Sequence, residues 1–247
     1  MRGNSILASN TCNKINFVGL MMAKFLLFLF FLVRACSAGP EDLSGKVFVF
    51  PKQTNTASVK ITPAAQSFPA ISVCLRFISD VSRHYALFSV ATPSNQNAFL
   101  LWRQAPGLPK ILLNDKGDPF TKLLMEEGAW NSICATWDSV TGLGQVWLNG
   151  KPSPRKHVHP GAAVEGQPII ILGQDQDSHG GNFDAEQSFV GELTDVHMWN
   201  YVLPSDEIQN FMTGQNFKSG NAVSWRSLEY SLHGEVVKAD EQTSCKK

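Results

Sequence analysis

From about residue 46 onward, apolar and polar positions alternate with a period of two. In Ile71-Ser72-Val73-Cys74-Leu75-Arg76-Phe77 every second residue is apolar, the pattern of a strand with one face buried. Comparable runs occur at Lys46 to Phe50, His84 to Val90, Ala98 to Trp102, Asn131 to Trp137, Gly144 to Leu148, Pro168 to Leu172 and Ser188 to Trp199. Turn formers separate them, among 13 prolines and 19 glycines spread along the chain. Asn149-Gly150, between Gln145-Val-Trp-Leu148 and Lys151-Pro152, predicts a tight hairpin. Only Pro204 to Met212 predicts a helix, with Ser205 as N-cap and Asp206 and Glu207 at the positive end of its dipole. Ile208, Phe211 and Met212 share one face of it, and Gly214 closes it. Many short strands with one short helix predict an all-β fold, a two-sheet jelly-roll β-sandwich.

The N-terminal part departs from this pattern. Residues 25 to 33 are an unbroken apolar run between Lys24 and Arg34, followed by the small residues Cys36-Ser37-Ala38. A spanning helix needs roughly 20 apolar residues, so residues 1–38 are expected to be a cleaved secretory signal peptide preceded by an upstream extension. Translation from Met21 or Met22 would give a signal of ordinary length. Residues 39–247 are then one secreted, extracellular domain, of a size normal for a single sandwich.

Cleavage changes the charge. The whole chain has 21 basic and 21 acidic side chains; without Arg2, Lys14, Lys24 and Arg34 the remainder has 17 and 21, a net of −4. No basic patch remains to support a nucleic-acid partner. Cys12 and Cys36 leave with the signal, and Cys74, Cys134 and Cys245 remain for an oxidising compartment. Cys74 and Cys134 lie in strand-like segments and are natural partners. Cys245 is left to pair between chains or to be capped by a small thiol. There is no Asn-x-Ser/Thr sequon.

The chemistry concentrates in Gln174-Asp-Gln-Asp-Ser-His-Gly-Gly-Asn-Phe-Asp-Ala-Glu-Gln187. In extended backbone Asp175 and Asp177 point to one side, where two carboxylates repel unless a cation or proton lies between them. Gly180-Gly181 lets the chain turn back, bringing Asp184 and Gln187 toward the same point. Carboxylate, amide and carbonyl oxygens form a hard donor set that suits calcium; zinc would want His or Cys, and only His179 is near. The loop offsets exclude an EF-hand. A solvated acidic loop is the alternative on composition alone.

This segment resembles the calcium loop of the short pentraxins, the family of C-reactive protein and serum amyloid P component. The resemblance extends through Val47-Phe-Val-Phe-Pro51, Cys134-Ala-Thr-Trp-Asp-Ser139, Gly191 to Trp199, Asp206-Glu-Ile208, Trp225-Arg226 and Gly234-Glu-Val236. It covers about residues 40 to 237, although Ser132 stands where a His is usual and Pro106 to Phe120 aligns poorly. It implies a concanavalin A-like lectin sandwich, a Cys74–Cys134 disulfide and two Ca2+ ions per subunit. Asp175, Asp177 and the Gln176 carbonyl would serve them, Asp175 and Asp177 bridging both; Asp184 and Gln187 would complete the outer one, and Asn97 would add a side-chain ligand. Gln96 stands where an Asp is usual, and Asp175 and Asp184 where Glu is commoner; the lost charge at 96 implies a weaker inner site.

The resemblance further implies a homo-oligomer, a pentameric ring acting in innate immunity. Its partners would be phosphocholine, phosphoethanolamine or carbohydrate on microbial or damaged-cell surfaces, with complement or Fc receptors on the opposite face. Trp102 aligns with an aromatic that walls the head-group pocket; a core aromatic is the alternative. Two other readings compete: an adhesion module with a weakened metal site, and a glycoside hydrolase using Asp175 and Asp177. No Gly-x-Ser-x-Gly elbow or phosphate loop is present, and His157 and His159 read as loop residues. No enzymatic activity is expected.

Overall fold

The computed structural model describes residues 39–242 apart from 64 and 163. The signal segment, Cys12, Cys36 and Cys245 lie outside the described residues. Two antiparallel sheets face each other. The larger runs in the order Lys151–Pro152, Leu143–Leu148, Asn131–Asp138, Ala70–Ile78, Gly191–Trp199, Lys46–Phe50 and Val237–Asp240. The smaller runs Tyr230–His233, Ser58–Ile61, Ile169–Leu172, Tyr85–Thr92, Asn95–Gln104 and Leu108–Leu112. This is the two-sheet sandwich that the alternation predicts, in the lectin-like form that the resemblance implies.

The period of two decides what lies between the sheets. Ile71, Val73, Leu75 and Phe77 of Ala70–Ile78 are buried in one core with Phe88, Val90, Phe99, Leu101, Ile133, Trp137, Ile170 and Leu172. The intervening residues face outward, but that face is not all left to water. Cys74 and Cys134 lie opposite each other on neighbouring strands and form a disulfide. They pack with Trp147, Trp199, Leu203, Ile208 and Phe211 in a second apolar cluster beneath the helix. Ser72 clamps the approach to that helix, donating to the Tyr201 carbonyl at 2.7 Å and accepting from Leu203 N–H at 2.8 Å.

The helix is Ser205–Met212, one residue earlier than the cap chemistry suggests: Pro204 is the N-cap and Ser205 is already helical. Proline fits there because its backbone carbonyl receives the Ile208 N–H while its own missing N–H costs nothing. Ile208 and Phe211 are buried, and Gly214 follows the helix at φ +68°. Leu143–Leu148 turns back into Lys151–Pro152 through Asn149 and Gly150 at φ 49° and 80°, the left-handed pair of a type I′ turn.

The last long strand begins at Gly191 rather than Ser188, because Ala185–Gln187 forms a 3-10 turn first. It bulges at Asp195, φ 53°, with a register shift between Thr194 and His197. At Gly191, φ is +139° and an added Cβ would lie 2.1 Å from the Ile78 carbonyl oxygen. Gly191→Ala is therefore expected to cost about 3 kcal/mol of unfolding free energy, read from denaturant melts. A loss below about 1 kcal/mol would show that the strand pair relaxes around the methyl group.

Candidate cation-binding site

The acidic loop leaves the strand Ile169–Leu172 and is pinned by its amides. Gln174, fully buried, donates from Nε2 to the carbonyls of Thr54 at 2.7 Å and Ala57 at 2.9 Å. Gln176 Nε2 donates to the Ser89 and Ile169 carbonyls, both at 3.1 Å, while its Oε1 accepts Gly180 N–H at 2.9 Å. The Gln176 side chain is thus scaffold. A turn closed by reciprocal 3.2 Å backbone bonds between Ser178 and Gly181 follows. His179 Nε2 lies 2.8 Å from the Gln167 carbonyl, which occupies the nearest imidazole.

The return limb is held from its far side. Asp184 caps the 3-10 turn, one oxygen accepting Glu186 N–H at 3.0 Å. Arg83 donates to the Glu186 carbonyl at 3.0 Å and to Ser188 Oγ at 3.3 Å, and Gln53 Nε2 to Glu186 Oε1 at 2.7 Å. Sequence reasoning missed Arg83 and Gln53, since neither lies near residue 186 in the chain.

Asp175 is 5% exposed. Burial, then the charge of Asp177 and that of Asp115, push its carboxyl up to about 7 against one opposing backbone bond from Gln176. Asp177 is half-buried and shifted upward, first by burial and then by Asp184 and Asp115. Four carboxylates therefore share one field, three expected from sequence and one, Asp115, not. Asp115 is brought in by a turn in which Asn114 and Asp115 are left-handed, φ 49° and 65°, and Asn114 N–H donates to the Asn97 carbonyl at 2.7 Å.

Five buried side-chain oxygens of the loop and the segments beside it have no hydrogen-bond partner among the described residues: Asn97 Oδ1, Asn114 Oδ1, Gln174 Oε1, Asp175 Oδ1 and Gln187 Oε1. Leaving such atoms unpaired costs about 1–3 kcal/mol each, so each is available to a hydrogen-bond donor or to a cation. Among the described residues no three His, Cys, Asp or Glu side chains form a group that could hold a metal; the unpartnered oxygens are mostly amide, beside the carboxylates of Asp175 and Asp177. Such a set fits a hard cation. Gln96, by contrast, is exposed on the strand Asn95–Gln104.

Trp102 lies on that same strand, half-buried, opposite Ala86 and Lys110. It stands outside the core that holds Phe99 and Leu101 and stacks on the His84 ring, 5.3 Å between centroids. The neighbouring Arg103, which no sequence pattern singled out, is 1% exposed and bonds to three loop carbonyls. His157 is exposed, and His159 Nδ1 lies 3.2 Å from the Leu113 carbonyl.

The model of the Pentaxin family matches residues 46–239. A C-reactive protein of Xenopus laevis is 40% identical over 219 residues, 87% of this chain and 91% of the relative. The human serum amyloid P-component is 39% identical over 197 residues, 79% of this chain and 87% of the relative. Among solved structures, the native heptameric SAP-like pentraxin of Limulus polyphemus superposes with a TM-score of 0.71 at 24% identity, over 81% of this chain and 96% of that one.

Proposed function

This chain belongs to the pentraxin family, and from that premise we propose that it is a secreted, calcium-dependent pattern-recognition lectin of innate immunity, not an enzyme. The observation that carries the reading is that Asp175, Asp177 and Asp184 share one field while buried oxygens of Asn97, Asp175 and Gln187 have no hydrogen-bond partner among the described residues. Asn97, Asp175, the Gln176 carbonyl, Asp177, Asp184 and Gln187 are the residues to hold calcium, two ions per subunit by family analogy. Once bound, calcium offers coordination positions to hard anionic oxygens such as those of a phosphate head group or a sugar.

The chain's own side chains do the rest. Gln174 and Gln176 keep the loop rigid from beneath, and Arg83 holds its return limb. Trp102 supplies an aromatic wall for a cationic amine such as that of phosphocholine, a contact worth about 0.5–2 kcal/mol. A single such site is weak; a ring of subunits, five by family analogy, would raise affinity for a repetitive surface by roughly 10²–10⁴. Complement or Fc receptors on the opposite face follow at the level of the family. The Cys74–Cys134 bridge suits an extracellular domain spanning residues 39–247, and no helix of the described residues is long and apolar enough to cross a membrane.

Chromatography on phosphocholine-agarose tests this directly. The protein is expected to be retained in millimolar calcium and released by chelator. Retention that persists in chelator would favour an adhesion surface independent of metal, and passage through the column in calcium would remove phosphocholine as a ligand.

A further inference from the structure

Asp115 lies in the stretch 106–120 that carries no motif match, yet it stands against the candidate cation site. Leu113 and Lys116 exchange backbone bonds at 2.9 and 3.0 Å, closing a tight turn with Asn114 and Asp115 at its tip. Asn97 Nδ2 donates to Asp115 Oδ1 at 2.7 Å, and the Asn114 N–H bond to the Asn97 carbonyl ties the same two segments again. A carboxylate can only accept, so Asp115 settles which limb of the Asn97 amide faces it. Nδ2 turns to Asp115, and Oδ1 is left free. Asn97 is only 8% exposed, and that Oδ1 is one of the buried oxygens lacking a partner among the described residues.

We propose that Asp115 is a positioning and charge-supplying member of the cation site, orienting the Asn97 carbonyl oxygen as a ligand and replacing the negative charge that position 96 lacks. The inference rests on the calcium reading above and deepens it. Gln96 is neutral and exposed, so an inner ion there would face one carboxylate fewer than the family pattern implies. Asp115 arrives from a different strand connection, through space rather than along the Asn95–Gln104 strand. The compensation is invisible to a motif read position by position.

Calcium titration calorimetry on chelator-stripped protein tests it, with wild type, Asp115→Asn, Asp115→Ala, Gln96→Asp and the double variant Gln96→Asp/Asp115→Asn. Asp115→Asn keeps an acceptor for Asn97 Nδ2 and loses only charge, so calcium is expected to bind about tenfold more weakly. Asp115→Ala loses the orienting bond as well and is expected to fall about thirtyfold or more. The double variant is expected to return within about threefold of wild type, a rescue that a merely structural role for Asp115 would not produce. Melting in chelator should be unchanged or raised in Asp115→Asn, since a repelling charge is gone. Calcium binding by wild type with unaltered affinity in both Asp115 variants, or no recovery in the double variant, overturns the role of Asp115 alone. No calcium uptake by wild type overturns the calcium reading and this inference together.

Discussion

Asp175→Asn is expected to abolish calcium-dependent retention on phosphocholine resin and, in chelator, to make the protein more stable than wild type. Both effects have one cause. The Asp175 carboxylate is almost wholly buried and its Oδ1 has no partner among the described residues, so in the proposed site its charge is compensated by the bound ion. An amide of the same shape removes that charge and weakens calcium binding by about 100-fold or more. Without metal the sign reverses. The native carboxyl, raised to about 7 mainly by burial, keeps its proton over a range in which the unfolded chain, near 3.9, has lost it. Where the native state binds more protons, stability falls as pH rises. The penalty is absent below about pH 4, grows toward pH 7 and is complete above it, reaching about 2–4 kcal/mol. Asp175→Asn lacks it.

Thermal melts of both proteins in chelator at several pH values between 4 and 8 should therefore diverge as pH rises, the variant being the more stable. Added calcium should reverse the order by stabilising only wild type. A variant that melts below wild type at pH 8 in chelator, or that still binds the resin through calcium, would show that Asp175 is a structural residue and not a cation ligand.

Features governed by local rules were the ones legible in sequence. Alternation along Ile71 to Phe77 reads out which side chains enter the core because a strand's side-chain period is two whatever it pairs with. Asn149-Gly150 reads as a turn because left-handed backbone is inexpensive for those two residues. The facing of Cys74 and Cys134 follows from strand register, and their disulfide agrees with what the family likeness implied. The features not legible depend on partners far along the chain. The helix cap slipped to Pro204 because Ser72, more than a hundred residues earlier, already fixes the preceding segment. The bulge at Asp195 leaves His197 in the interior, where burial pushes its pKa down to about 3 and its Nδ1 accepts Gly220 N–H. No periodicity marks a histidine for that place. In the site, the residues between 175 and 187 were legible because they are contiguous, whereas Asp115, Arg83 and Gln53 reach it from separate connections.

Arg103→Met is expected to produce the largest loss of stability of any single substitution at a charged residue considered for this fold, about 3–5 kcal/mol. Arg103 is 1% exposed. Its Nη1 donates to the carbonyls of Ser82 at 2.6 Å and Arg83 at 2.7 Å, and its Nη2 to the Pro106 carbonyl at 3.2 Å and Glu127 Oε1 at 2.6 Å. The guanidinium also lies 5.4 Å from the centre of the Tyr85 ring. One side chain thus joins three loops, and methionine would fill its volume while leaving three carbonyls without their donor. The ion pair is the lesser part. Glu127 is 46% exposed in its side chain, so Glu127→Gln is expected to cost under about 1 kcal/mol. Lysine keeps the charge without the fork, and Arg103→Lys should fall between the two. Because Arg103 holds the backbone of Arg83, and Arg83 holds the return limb of the acidic loop, Arg103→Lys should also weaken calcium binding severalfold with every proposed ligand in place. Urea melts in chelator for the three variants, with calcium titrations on those that fold, separate these contributions. A Glu127→Gln loss equal to that of Arg103→Met would assign the stabilisation to the ion pair instead of the carbonyl clamp.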